Sequence, residues 1–351
     1  LKKVRDSNFE LLRIVAMIMI IGCHFVTYTQ WHFPPGYSGE TKLALQMLRL
    51  GGKTGVILFV LITGYFNVKS TFKINKIVPI FTQVFFWSVL MSAIAHFYIG
   101  VDLNAISKMK TFLPILFQNY WFPTDYVLLL LVSPMLNMVL HKLTTKSSLI
   151  VIALSIVFVG LPLITRDATN PLIGMGVAYY VGGWIRLSEF RIRTLTGIVA
   201  LFGLLVMDTI ITAGLLKLGM FNQTAQSIQL SFVTGFNVFA FAMAIGIFLI
   251  FKNVTFKNTS INFVGGTMFG VYLLHDNGLT RIFMWNELFD AGKFVSLEDL
   301  LIRLVLSIFA IMTVGITVDG IRQIIFRACK IDEIVSKLLN QLFRMQRHSV
   351  R

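Results

Sequence analysis

Two side chains stand out on chemical grounds: Arg13 and His24, set in the otherwise apolar run from Phe9 to Tyr28. Eleven positions at 3.6 residues per turn is close to three whole turns, so a helix would carry both on one stripe, roughly 16 Å apart along its axis. Glu10, one turn before Arg13, shares that face. A neutral imidazole with a pKa near neutrality is suited to general-base or nucleophilic work, and the guanidinium at the other end of the stripe suits an anionic donor. The competing reading is structural: Arg13 snorkels to headgroups beside Glu10, and His24 hydrogen-bonds a neighbouring helix.

The elements that must position this pair follow from composition. Of 351 residues, 56% are hydrophobic and 13% charged, about half the charged share of a soluble domain. Apolar stretches recur at 9–28, 54–68, 77–99, 121–140, 148–164, 171–187, 194–216, 228–251, 261–277 and 300–326. Each approaches the length of about 20 residues that a spanning helix needs. They lack the strict alternation of barrel strands, so helices must satisfy the backbone in lipid. The expected fold is all-α, a polytopic membrane bundle of about ten transmembrane helices. It divides into a membrane domain at 1–329 and an amphipathic tail at 330–351, where Ile331, Ile334, Val335, Leu338, Leu339, Leu342 and Phe343 recur at helical spacing.

The net charge of +15 does not point to nucleic acid. With the N-terminus inside, Lys2, Lys3, Arg5, Arg13, Lys69, Lys73, Lys76, Lys142, Lys146, Arg186, Arg191, Arg193, Lys252 and Lys257 fall on the cytoplasmic side, as does the basic tail. Glu40, Asp102, Asp167, Asp276, Glu287 and Asp290 fall outside. This is the positive-inside pattern, and it predicts two cytoplasmic termini in a cell membrane, with bacterial plasma membrane the expected site. No small-residue cleavage site follows the first apolar run, so an uncleaved first span is expected. Cys23 and Cys329 would lie near opposite faces, which excludes their pairing and suggests no metal site.

Further polar groups sit where lipid would not tolerate them. Asp208 and Asp319 fall deep in expected spans, where an unpaired carboxylate is costly. Tyr272 and His275 are three apart and share a helix face near the outside; Asp125 stands beside Trp121 and Tyr126 at the outer end of another span. Tyr28, Trp31, His32, Tyr37, Tyr120, Trp121 and Trp285 supply outer aromatics that suit a sugar ring or an ordinary interfacial belt. Gly64, Gly265, Gly266 and Gly270 are expected to be close-approach points between helices.

Four segments carry a family resemblance. FELLRIVAMIMIIGCHF (9–25), with arginine and histidine separated by ten residues, resembles the opening of the acyltransferase type 3 family of integral membrane proteins. GVILFVLITGYF (55–66), YWFPTDYVLLLLVSPML (120–136) and TMFGVYLLH (267–275) resemble its later segments, in the expected order. The resemblance implies transfer of an acyl group, commonly acetyl, from cytoplasmic acyl-coenzyme A to a hydroxyl of an extracytoplasmic sugar or surface polysaccharide. It implies catalytic roles for Arg13, His24 and His275, with Tyr272 in the late motif. Arg13, Lys69 and Lys73 are expected to meet the donor, and Glu10, Tyr65, Asp125 and Tyr272 to support the acceptor. Thr63 replaces a more usual serine, and Asp276 stands where proline is common. The expected partners are membrane lipid, acyl-coenzyme A as a substrate, and carbohydrate, with no permanently bound cofactor. The alternative is an exporter of a polysaccharide or lipid-linked saccharide.

Overall fold

The computed structural model describes residues 6–33, 39–160, 170–293 and 296–349. Lys2, Lys3, Arg5, Tyr37, Asp167, the end of the expected span 148–164, and the side chains of Leu342 and Phe343 lie outside the described set. Among the described residues the regular structure is helical, without strands. The helices are α1 (Ser7–Tyr28), α2 (Glu40–Asn67), α3 (Val78–Ile94), α4 (Ala105–Phe112), α5 (Trp121–Lys142), α6 (Thr145–Gly160) and α7 (Pro171–Leu187). They continue with α8 (Thr194–Gly219), α9 (Gln223–Thr234), α10 (Val238–Asn253), α11 (Thr259–His275), α12 (Arg281–Phe283), α13 (Leu297–Ala328) and α14 (Ile331–Ser349).

Among the described residues, seven helical segments are long and apolar enough to cross a membrane: Ser7–Tyr28, Glu40–Asn67, Ile74–Ile99, Trp121–Lys142, Thr194–Gly219, Gln223–Asn253 and Leu297–Ala328. The other three expected spans appear as α6, α7 and α11, of 16, 17 and 17 residues. At 1.5 Å per residue such helices measure about 25 Å, short of a hydrocarbon core of about 30 Å. Helices α7 and α11 are enclosed by neighbours, α7 by α2 and α5, and α11 by α1, α13 and α3, so much of their surface meets protein.

Two expected boundaries are corrected. The second span, expected at 54–68, is the end of a 28-residue helix beginning at Glu40. Lys42, Arg49 and Lys53 interrupt its hydropathy but not its backbone. The expected span 228–251 is broken at Gly235–Asn237. There the Asn237 side chain accepts from the backbone N–H of Ala240 at 2.8 Å and donates to the carbonyl of Phe232. An asparagine that satisfies both new helix ends makes the interruption tolerable at membrane depth.

Helices α1 and α2 run antiparallel at close range, because Gly51 and Gly55 lie against Met19 and Ala16 while Gly22 lies against Leu48. Helix α7 approaches α2 on its other side through Gly64 and Gly182, where a Cβ would collide with backbone carbonyls. Gly265 lies against Glu10 and Gly270 against Asp319. Gly266, by contrast, has open space where a Cβ would point, and meets α13 only through its carbonyl, which accepts from Gln323. Helix α1 is thereby held between α2 and α11, with its polar stripe toward α11.

The intramembrane carboxylates resolve differently. Asp319 accepts from Gln83, Trp87, Gln323 and Arg322, the last at 2.7 Å, so its charge is matched and its oxygens are used. Asp208 is fully buried with neither oxygen hydrogen-bonded among the described residues. The tail helix α14 docks on α3 through Thr82 donating to Asp332 at 2.7 Å.

Candidate active site

The end of the bundle where α1 begins is tied down by Ser7 and Asn8. Ser7 Oγ donates to the Asn258 carbonyl and accepts from the Asn258 N–H, and Asn8 donates to the Phe251 carbonyl at 2.9 Å. These bonds fix the start of α1 and hence the azimuth of its stripe. One turn on, Arg13 Nη1 pairs with Glu10 Oε1. Glu10 is almost fully buried, admitted by the missing side chain of Gly265.

Arg13 stands between two cavities. The first, about 650 Å³, opens at this near end and is lined by Glu10, Asn67, Ser70 and Lys76 among others. The second, about 400 Å³, runs inward past Met17, Gln83 and Phe269 to Tyr272. Both share Arg13, Thr63, Ile80 and Tyr126, so they form one passage with a polar waist. At the waist, Thr63 and Tyr126 hydrogen-bond through their hydroxyls at 3.0 Å. The threonine therefore keeps the hydroxyl that the commoner serine would supply.

At the far end of α1 the stripe reaches a second histidine. The rings of His24 and His275 lie 5.0 Å apart between centroids, with Tyr28 at 5.2 Å and Tyr272 at 6.4 Å from His24. His275 Nδ1 approaches the Val271 carbonyl oxygen at 2.6 Å. A carbonyl only accepts, so the proton sits on Nδ1 and the Nε2 lone pair is left free. Neither that Nε2 nor His24 Nδ1, both buried, has a hydrogen-bond partner among the described residues. Buried imidazole nitrogens without partners are uncommon, and they are what proton-transfer chemistry requires.

Asp276, the next residue after the helix, organises this end. It accepts from Tyr28 at 3.0 Å and Tyr272 at 2.7 Å and is ion-paired with Arg281 at 3.1 Å, while Arg281 also donates to Tyr28. Tyr120 donates to the Leu273 carbonyl and accepts from Asn277, which braces the same turn. A third cavity of about 500 Å³ opens beyond, lined by Asn119, Tyr120, Trp121, Asp276 and Arg281 among others.

The expected site residues thus divide. Arg13, Glu10, His24, Tyr272 and His275 are brought together along the α1–α11 seam. Tyr65 is not among them: it is buried near the α1 start against Phe9 and Phe248, and accepts from Arg186 at 2.9 Å. Asp125 faces the charge of Lys53, not His24. Lys69 and Lys73 are exposed and line neither near-end cavity, whereas Lys76 does. Trp285 is no sugar platform, being fully buried against Phe25. The sequence alone does not bring Asp276, Arg281 or Lys53 to this site. The only trace of the first in the sequence is an acidic residue four positions after Tyr272, where the family commonly has proline.

A family model for an acyltransferase domain matches residues 6–319, nearly the whole length of this passage and its walls. The chain belongs to the acyltransferase type 3 family. Comparison with curated proteins and with solved structures yields no match. The matched region of this membrane acyltransferase contains every residue of the seam from Glu10 to Asp276, together with Asp319 and its α3 partners Gln83 and Trp87.

Proposed function

We propose that this acyltransferase moves an acyl group, acetyl in the simplest case, from coenzyme A to a hydroxyl of an extracytoplasmic saccharide. The observation that carries this reading is the His24–His275 imidazole pair, which lies between a near-end cavity that reaches Tyr272 and a far-end cleft that reaches Asp276. Taking the α1 start as cytoplasmic, as the distribution of Lys and Arg favours, the near-end passage receives the donor and the far-end cleft the acceptor.

Arg13 and Lys76 meet the phosphates of coenzyme A, and the pantetheine arm follows the passage past Thr63 and Tyr126 toward Tyr272. The thioester carbonyl carbon is then presented near His24. An imidazole nitrogen takes the proton of the acceptor hydroxyl as its oxygen attacks that carbon. The C–S bond breaks, and the proton passes to the departing thiolate, leaving an ester and free coenzyme A. Asp276 holds Tyr272 and Tyr28 against the imidazoles and touches neither substrate in this scheme. Its role is positioning.

Arg13→Ala is expected to raise the KM for acetyl-coenzyme A about tenfold or more, with a smaller change in kcat, because a charge-assisted phosphate contact is worth roughly 1.5–3 kcal/mol. Steady-state kinetics with varied donor check this. In cells, deletion of the gene should remove alkali-labile ester from surface glycans, measured before and after mild de-esterification. Unchanged ester content in the deletion strain contradicts glycan acylation and favours an exporter.

A further inference from the structure

The far-end cleft and the residue behind its wall say more about the acceptor. Gly52 lies directly against Cys23, so Lys53 sits in α2 at the depth of His24. Its ammonium stands 4.3 Å from the centroid of Trp121 and 4.8 Å from that of Phe236. Among the described residues it makes no hydrogen bond and no ion pair. Holding a cation at that depth is costly, and two aromatic faces offset only part of the cost.

Trp121, whose ring lies beside this ammonium, also lines the cleft that contains Asp276. The charged groups lining that cleft are Lys110, Arg281 and Asp276. Asp276 is already committed to Arg281, Tyr28 and Tyr272, which leaves Lys110 without a carboxylate partner among the described residues. A cleft with an aromatic wall and amide and hydroxyl side chains, where Lys110, Arg281 and the nearby Lys53 outnumber the carboxylates of Asp276 and Asp125 by one, fits a sugar that carries its own negative charge.

We propose that this cleft binds an anionic saccharide, its ring against Trp121 and its charge met by Lys110 and by the Lys53 ammonium beside that ring. The inference rests on the acyl-acceptor reading and names the class of acceptor.

The test uses the full-length protein in lipid nanodiscs and three matched oligosaccharides: one containing glucuronate, its carboxyl-reduced neutral counterpart, and that counterpart phosphorylated on one sugar. Binding is measured by calorimetry, and transfer of labelled acetyl separately. A carboxylate or phosphate ligand should bind about tenfold or more tightly than the neutral one, and whichever arm shows the preference identifies the anion. Lys110→Gln and Lys53→Met should each reduce that preference severalfold, and Lys53→Arg should retain it. Should Lys53→Met fail to fold, Lys110→Gln, a substitution on the surface of α4, carries the test. Equal binding of all three ligands, or a preference that survives both substitutions, overturns the proposal. Charge-dependent binding without acyl transfer to any saccharide would instead refute the acylation reading and leave the cleft assignment standing.

Discussion

His24→Ala is expected to lower acyl transfer by a factor of about 10²–10⁴, the range that a positioned acid–base group contributes. The protein should remain folded and membrane-bound. His24 is half-buried, its Nδ1 has no hydrogen-bond partner among the described residues, and its contacts to Tyr28, Tyr272 and His275 are ring contacts rather than polar bonds. Removing it therefore orphans little. Detergent-extracted yield and thermal unfolding should match the parent protein while initial rates collapse. Near-normal rates in the alanine variant would remove His24 from the chemistry and leave the free Nε2 of His275 as the base.

The second large effect is on stability. Asp276 is 2% exposed and gathers two tyrosine hydroxyls and a guanidinium. Asp276→Ala leaves the charge of Arg281 without its partner and the Tyr28 and Tyr272 hydroxyls without their acceptor. Breaking a buried pair from one side costs about 3–5 kcal/mol, and the lower figure applies because the Arg281 side chain is 32% exposed. A clear fall in melting temperature is expected, together with loss of activity as Tyr272 loses its anchor beside His24. Combining Asp276→Ala with Arg281→Met should recover part of the stability, since the unpaired charge is then gone, but not the activity. An Asp276→Ala protein that melts like the parent would show that this cluster does not hold the far end together.

What was legible in the sequence was local. Arg13 and His24 lie on one helix at a spacing that any α-helix converts to a shared stripe, and Tyr272 and His275 likewise. Asp276 finds Tyr272 and Arg281 within five positions but takes Tyr28 from α1, and Asp319 takes Gln83 and Trp87 from α3, so these distant partners join only in the tertiary arrangement. Lys53 falls just outside the expected span 54–68 because hydropathy averaging ends a span where charges begin. The helix continues because the rings of Trp121 and Phe236 cover the Lys53 ammonium. The break at Gly235–Asn237 is invisible to the same averaging, since the flanking residues are apolar and the interruption is made by one asparagine side chain. Tyr65 lies elsewhere than its motif suggests. Its motif marked it as functional, yet burial against Phe9 and Phe248 and its bond to Arg186 place it away from the imidazole pair.

The most direct measurement follows the donor. Purified protein in nanodiscs is incubated with acetyl-coenzyme A labelled in the acetyl group and with acidic oligosaccharide, and both label and free thiol are quantified. The account predicts label in an alkali-labile ester on the saccharide and an equal amount of free coenzyme A, neither of them formed by His24→Ala. A protein that neither binds nor cleaves the donor, yet carries saccharide across the membrane of sealed vesicles, would contradict it.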